Sequence, residues 1–136
     1  MEFHGHLGMW AAVGFVAGSF AMEKLRPEKI KDMECYVELP YRIPYSCLLD
    51  GIQVSSSCTI GKRNLRFADM KKEPRIVFEN KKTGQRLDLV LKKKIKKEID
   101  KKQGHEKELE NTGWILSLKA DKIFILRAGR SAVHGC

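Results

Sequence analysis

The hydrophobic pattern is strongest near the start of the chain, where residues 8–25 are mostly apolar and carry no charge before Glu23. Small residues recur along this segment, and Pro27 follows it. Such an apolar run predicts a buried helix from Gly8 to Leu25. The helix is expected to end there, because proline disfavours a helical conformation at the residue before it. The small residues predict that another stretch of backbone approaches this helix closely.

The next segments predict a strand and then a helix. Residues 33–39 alternate well enough for a strand, and two prolines mark the connecting loop that follows. Ser46 is a good N-cap, so a second helix is predicted to begin there. Residues three or four positions apart lie near one face of a helix, and this spacing groups Cys47, Asp50 and Gln53 or Val54.

The second half of the chain predicts a sheet and further helices. Two of its strands are joined by a hairpin at residues 80–84. The predicted segments are strands at 65–67, 75–79 and 86–91, a lysine-rich helix ending near residue 102, a short helix over 106–118, and a final strand or packed segment at 122–127. A helix pair followed by a mostly antiparallel sheet and more helix indicates an α+β fold, formed as a single domain over residues 1–136.

Size and cysteine content agree with one intracellular domain. The chain has 136 residues, of which 43% are hydrophobic, enough for a single core. Its four cysteines show no close pairing and no secretory signal precedes them, which predicts a reducing, cytoplasmic location. The uncharged stretch at residues 7–22 is shorter than the roughly 20 residues that span a bilayer, so no membrane association is expected.

The formal net charge of +9 is concentrated in residues 81–107, which hold eleven Lys or Arg against four Asp or Glu. In the lysine-rich helix only Ile95 and Ile99 form an apolar stripe, as in an ordinary solvated helix. The alternative is a contact surface for an acidic partner, a polyanionic cofactor or nucleic acid. Nucleic acid is the least favoured of these, because no aromatic residue lies between Phe78 and Trp114.

Imidazole and thiol groups supply a candidate metal site. Neutral imidazole and thiolate are ligands of zinc and other divalent transition metals, so His4, His6, Cys47 and Cys58 form a candidate set. Asp50 and Gln53 are placed to orient a metal-bound imidazole, or only to make local hydrogen bonds. Spacing alone does not separate a ligand from a cysteine or histidine that is simply packed or exposed.

The segment 61–64 is a candidate anion-binding turn. Gly61, Lys62 and Asn64 offer backbone N–H groups, a cation and an amide, which suit a phosphate or carboxylate of an anionic cofactor. Gln53 is a further candidate for binding that cofactor. The turn lacks the wider glycine spacing of a Walker loop.

Two separated motifs carry a family resemblance: the opening run from Phe3 through His4 and His6 to Gly8, and the run from Asp50 through Gln53, Cys58 and Lys62 to Asn64. Together they resemble the E-subunit family of formylmethanofuran dehydrogenase, closely over residues 3–70 and in hydrophobic outline beyond. The resemblance implies an archaeal or anaerobic origin, a homodimer, and a link to one-carbon metabolism in methanogenesis. In that enzyme complex a molybdenum or tungsten pterin on other subunits performs the chemistry.

The resemblance also ranks the site residues, since it implies that both motifs line one cleft. Cys58 is then the first candidate for a reactive thiolate or metal ligand, with Lys62 close enough in sequence to lower the pKa of its thiol. His6 and His4 come next. Cys47 is either a member of the site or only a small buried hydrophobic residue, which is the commonest role of a free cysteine.

The chain departs from the family pattern in several places. Arg63 and Ser57 stand where the family more often has glycine, so a positive φ there would be strained. Gly8 and Met9 replace a Cys-Pro pair that some relatives carry, which removes one potential ligand. The C-terminal zinc-finger module of many relatives is not expected in this chain, because the tail supplies only His134 and Cys136.

Two function classes remain open. In the first, the chain is an accessory protein that binds zinc, or a molybdopterin-type or other anionic cofactor, and docks on a larger oxidoreductase complex. In the second, it is a small enzyme in which Cys58 or a metal-bound water attacks a substrate, His6 or Asp50 transfers protons, and Lys62 neutralises developing charge. Nucleic-acid binding through residues 81–107 is a weaker third alternative.

Overall fold

A computed structural model of the chain describes residues 8–103 and 107–130. All four histidines, at positions 4, 6, 105 and 134, lie outside these ranges, as does Cys136. The predictions that rest on them are therefore neither confirmed nor contradicted by the fold.

The described elements follow the predicted order closely. They are α1 (Met9–Leu25), a single 3-10 turn (Ile30–Asp32), β1 (Met33–Leu39), α2 (Cys47–Ser56), β2 (Leu65–Asp69), β3 (Arg75–Asn80), β4 (Gln85–Leu91), α3 (Lys93–Lys102), α4 (Glu108–Ser117), α5 (Ala120–Ile123) and β5 (Phe124–Arg130).

The five strands form one sheet in the order β2-β1-β3-β4-β5. The pair β1–β2 is parallel and is connected through α2, whereas the other three pairs are antiparallel. A parallel pair needs a crossover, and the helix α2 supplies it. The prediction of an α+β fold with a mostly antiparallel sheet is confirmed.

The alternating pattern of β1 separates the two faces of the sheet. Met33, Cys35, Val37 and Leu39 are buried, and the residues between them are only partly covered. The buried set joins one hydrophobic cluster with residues of α1, α2 and β3. On the opposite face Arg75 pairs with the Asp88 carboxylate across neighbouring strands, as expected for a sheet with one solvated face.

The long apolar helix α1 is covered on most of its circumference, because it packs between α2, α4 and the sheet. Among the described residues no helix is long and apolar enough to cross a membrane. The prediction of a buried helix from its apolar composition is thus confirmed.

The close approach predicted for α1 is made by α2. A Cβ added at Gly14 would overlap the carbonyl oxygen of Leu48, and one added at Gly51 would overlap that of Ala11. Both obstacles are backbone atoms, which cannot rotate away. The two glycines therefore fix how near the helices lie.

Two local predictions need correction. Ser46 occupies the N-cap position of α2 but makes no side-chain capping hydrogen bond; its own backbone is helical, and its N–H donates to Arg42 at 2.9 Å. The strand predicted over 122–127 begins only at Phe124, because Ala120–Ile123 close a helical turn through a bond from the Lys122 N–H to the Lys119 carbonyl.

We expect Gly14→Ala or Gly51→Ala to lower the free energy of unfolding by about 3 kcal/mol, because each added methyl group forces two backbones apart. Urea titration followed by circular dichroism measures this change. Gly113→Ala is the matched control: it lies in α4 with open space around it, so it is expected to raise stability by about 0.5–1 kcal/mol through helix propensity. Equal effects at all three positions would contradict the close-contact argument.

Candidate functional site

The motif at residues 57–64 forms the turn between α2 and β2. Ser57 has φ 61° and Arg63 has φ 65°. Both lie in the left-handed region, where a side chain is strained and glycine is not. Both positions thus meet the condition under which strain was expected, and the chain holds this conformation with non-glycine residues.

The strained conformation is held by internal hydrogen bonds. Five backbone N–H groups of the turn donate to acceptors within the protein. They run from Cys58 to the Ser56 hydroxyl (3.1 Å), from Thr59 to Asn64 Oδ1 (2.8 Å), from Ile60 to Gln53 Oε1 (3.3 Å), from Lys62 to the Thr59 hydroxyl (3.0 Å) and from Arg63 to the Ile60 carbonyl (3.0 Å). An anion bound here would have to displace these acceptors.

Asn64 and Gln53, both predicted to bind a cofactor, act within the fold as clamps on this turn. Asn64 is buried, and its amide Nδ2 donates to the Met33 carbonyl at 3.2 Å while its oxygen accepts from Thr59. Gln53 reaches across from α2 to accept from Ile60. The two amides thereby tie the turn to β1 and to α2.

Gly61 and Lys62 lie on the outside of the turn and are exposed. The Lys62 ammonium donates to the Ser57 carbonyl at 3.2 Å. This contact satisfies the carbonyl at the strained end of α2. Lys62 thus has a structural partner, although its exposure leaves it accessible to an anion.

Cys58 is fully buried in the core, and its thiol donates to the Met33 carbonyl at a sulfur–oxygen distance of 3.7 Å. Burial raises the pKa of this thiol above its usual value; the hydrogen bond with Ser56 and the charge of Lys62 lower it by less, and Glu34 raises it slightly. The effect predicted for Lys62 therefore has the right direction but is outweighed by desolvation. A buried thiol with a raised pKa is a poor nucleophile.

Cys47 and Asp50 lie at the other end of α2. Cys47 is the first residue of the helix and is partly buried, and burial followed by the charge of Asp50 raises the pKa of its thiol. Asp50 is exposed. The ten residues of α2 separate Cys47 from the Cys58 turn by about 13 Å along the helix axis. Because a zinc–sulfur bond is about 2.3 Å long, one ion does not reach both sulfurs in this arrangement.

Within residues 8–103 and 107–130, no group of three or more His, Cys, Asp or Glu side chains is arranged to hold a metal ion. His4 and His6 lie outside these ranges, so the ligand set that includes them stays a prediction. The described part offers that set one candidate donor beside the start of α1, the Cys47 thiol.

The sequence does not single out the loop between β1 and α2. Here a cleft of about 550 Å³, which we call the tyrosine cleft, is lined by Pro40, Tyr41, Arg42, Tyr45, Asp69, Lys71, Lys72, Glu73 and Lys96. The available signal is that Tyr41 and Arg42 lie between two prolines and that Tyr45 follows the second proline. By itself it predicts only a connecting loop, because Lys96 joins it from α3 through tertiary structure alone.

The fold and the motif define an α+β domain in which a glycine-mediated helix pair carries a clamped turn. The sequence model of a family described as "FmdE, Molybdenum formylmethanofuran dehydrogenase operon" matches residues 3–125, which is most of the chain. The chain therefore belongs to the FmdE family, and the resemblance drawn from the two motifs is confirmed.

One curated relative is "Probable S-adenosyl-L-methionine-binding protein" of Archaeoglobus fulgidus. It is 34% identical to the chain over 86 residues, which cover 59% of this chain. The chain spans 22% of the length of that relative.

The burial of Cys58 predicts slow alkylation. With iodoacetamide at neutral pH, Cys47 should be modified faster than Cys58 in the folded protein, because only Cys47 reaches solvent and burial raises the pKa of Cys58. Peptide mass spectrometry after timed quenching measures both rates, and labelling in urea is the control that makes both thiols accessible. Faster labelling of Cys58 in the native protein would contradict the buried site.

The clamp predicts that Asn64 matters more to stability than Gln53. Asn64→Asp replaces a buried donor by a carboxylate beside the Met33 carbonyl and should cost about 2–4 kcal/mol, whereas Gln53→Ala removes one acceptor from an exposed N–H and should cost about 1 kcal/mol. Urea unfolding compares the two. Similar small effects for both variants would show that the turn does not depend on the buried amide.

Proposed function

We propose that the chain is an accessory domain that binds a divalent transition metal, zinc in the first place, in a role linked to formylmethanofuran dehydrogenase. Family membership supports the link to that enzyme system. The observation that favours this role over an enzyme with Cys58 as nucleophile is the burial of Cys58.

The metal site we propose uses His4, His6 and Cys47, with Asp50 orienting an imidazole. The position of α1 supports this choice, because the Trp10 ring packs edge-on against Tyr45 at 4.9 Å, two residues before Cys47. The start of α1 therefore lies beside the start of α2. His4 precedes Gly8 by only four residues, and four residues span at most about 14 Å.

The donor set suits the proposed metal. Two imidazoles and one thiolate are zinc ligands, and three protein ligands leave a fourth position for a partner or a small molecule. Burial raises the pKa of the Cys47 thiol, which favours its protonated form in the absence of a metal. A bound cation reverses that preference, because a coordinating thiol loses its proton. Cys58 is left out of this set because it lies at the far end of α2.

The form of the enzyme alternative in which Cys58 is the nucleophile, with His6 and Lys62 assisting, needs the core to open around the thiol. The form in which a metal-bound water attacks would use the metal site proposed above. The anionic-cofactor alternative at Gly61, Lys62 and Asn64 needs the turn to release its internal acceptors. Neither opening is supported by a contact among the described residues, so we place both below the accessory role.

Docking on a larger oxidoreductase complex is proposed to use α3. Its Ile95 and Ile99 are buried, as the thin stripe predicted, and most of its lysines face outward. Such a surface suits an acidic partner. Homodimer formation, implied by the family resemblance, remains an expectation that sedimentation velocity can measure.

The relative's name raises S-adenosylmethionine as a ligand. The chain spans only 22% of that relative's length, so the region of the relative that binds this ligand is not identified with the region shared with this chain. We therefore do not extend this ligand to the chain.

Elemental mass spectrometry of untagged protein, reconstituted with zinc under reducing conditions, tests the metal proposal. Near-stoichiometric zinc is expected in the wild type and its loss in His6→Ala and Cys47→Ala, since each removes one of three ligands. Cys58→Ala and His105→Ala are the controls that should retain the metal, with folding checked by circular dichroism. Absence of metal from folded wild type, or its loss in Cys58→Ala alone, would contradict the proposed site.

A further inference from the structure

The tyrosine cleft is preformed by the backbone of residues 40–46. The Tyr41 N–H donates to Asp69 Oδ1 at 2.9 Å, which ties the loop to the end of β2. The Ser46 N–H donates to the Arg42 carbonyl at 2.9 Å, and the Cys47 N–H donates to Pro44 at 3.1 Å. A loop held at both ends in this way loses little conformational entropy when a ligand binds.

Two aromatic rings of the cleft are fixed by neighbours. Tyr45 packs against Trp10 in an edge-on geometry with an interplanar angle of 62°. Tyr41 lies on Phe67 with ring centroids 4.5 Å apart, yet 53% of Tyr41 remains exposed. A large aromatic side chain that is both held in place and half exposed offers a stacking surface to a planar ligand.

Cations surround these rings. The Arg42 guanidinium lies 5.4 Å and the Lys96 ammonium 5.7 Å from the centre of the Tyr45 ring. Lys71 and Lys72 add two more positive charges, against the carboxylates of Asp69 and Glu73. The cleft thus combines an excess of positive charge with aromatic surface.

The cations differ in how far they are already neutralised. Lys96 pairs with Asp100 at 2.9 Å, and Lys72 lies 3.4 Å from a Glu38 oxygen. Arg42 and Lys71 have no carboxylate partner within the described parts of the chain. An incoming anion would therefore gain most from Arg42, whose planar fork binds phosphate with two parallel hydrogen bonds.

We propose that the tyrosine cleft binds a small anionic ligand with a planar ring, of the nucleotide class. The ring stacks on Tyr41, where base–aromatic stacking contributes about 1–3 kcal/mol, and the phosphates pair with Arg42 and Lys71. The volume of about 550 Å³ is within the range of small-molecule sites. This site shares no residue with the metal site proposed above and does not depend on it, although Tyr45 of the cleft lies two residues before Cys47.

The proposal moves anion binding away from the turn at residues 61–64. There the N–H groups of Thr59, Ile60 and Lys62 already have acceptors, whereas Arg42 and Tyr41 are exposed at the cleft. The lysine-rich segment contains no aromatic residue of its own. In the folded chain, however, the Tyr45 ring lies beneath Lys96 of this segment.

Isothermal titration calorimetry of the full chain with ADP at low ionic strength tests this proposal. ADP is expected to bind, and pyrophosphate and adenosine should each bind at least about tenfold more weakly, because each supplies only the charge or only the ring. Arg42→Ala and Tyr41→Ala should each weaken ADP binding about tenfold, which is about 1.4 kcal/mol, and Tyr41→Phe should restore it.

Lys122→Ala and Arg66→Ala are the matched controls, since each removes an exposed cation outside the cleft, and both should leave ADP affinity unchanged. Three results would overturn the proposal: no heat of binding with ADP, pyrophosphate binding as tightly as ADP, or binding of a thymidine oligonucleotide without binding of ADP. Because Arg42 is exposed and lacks a carboxylate partner in the described chain, its variant should fold and keep the test decisive.

Discussion

The packing of α1 against α2 through Gly14 and Gly51 is the contact on which the rest of the structure depends. Each glycine faces a carbonyl oxygen of the other helix, so the distance between the helices is set by backbone atoms rather than by flexible side chains. This contact fixes α2 over the sheet. Both ends of α2 are then fixed as well, with Cys47 at one end and the Cys58 turn at the other.

The polar residues of the second motif serve this arrangement. Gln53 and Asn64 satisfy backbone donors in a turn whose Ser57 and Arg63 are held at positive φ. Cys58 is buried in the hydrophobic core beneath the turn. The need to hold the connection between α2 and β2 is enough to explain why these polar residue types cluster here. Backbone groups that lose contact with water need hydrogen-bond partners, and the polar side chains supply them.

The fold was largely predictable from the sequence. The apolar run of α1, the alternation in β1 and the hairpin at residues 80–84 each depend on local patterns, and the structure has all three. The turn at Ala120–Ile123 was missed, because an apolar segment after charged residues does not distinguish a strand from a short helical turn. The family was predictable because it rests on motifs, not on packing.

The candidate site was less predictable, because chemical character depends on burial. The family resemblance implied a reactive Cys58, but burial raises the pKa of its thiol, and the thiol contacts β1 at Met33, which is distant in sequence. The tyrosine cleft was missed for the same reason, since Lys96 lies far along the chain from Tyr45. Such sites form only when elements that are distant in sequence pack together, and a local sequence pattern does not predict that packing.

The central claim is that the two ends of α2 have different roles, with metal binding at Cys47 and a structural thiol at Cys58. Anomalous diffraction at the zinc edge from crystals of the zinc-loaded protein tests it most directly. The account predicts an anomalous peak about 2.3 Å from the Cys47 sulfur and none beside Cys58. A peak bonded to the Cys58 sulfur would contradict it.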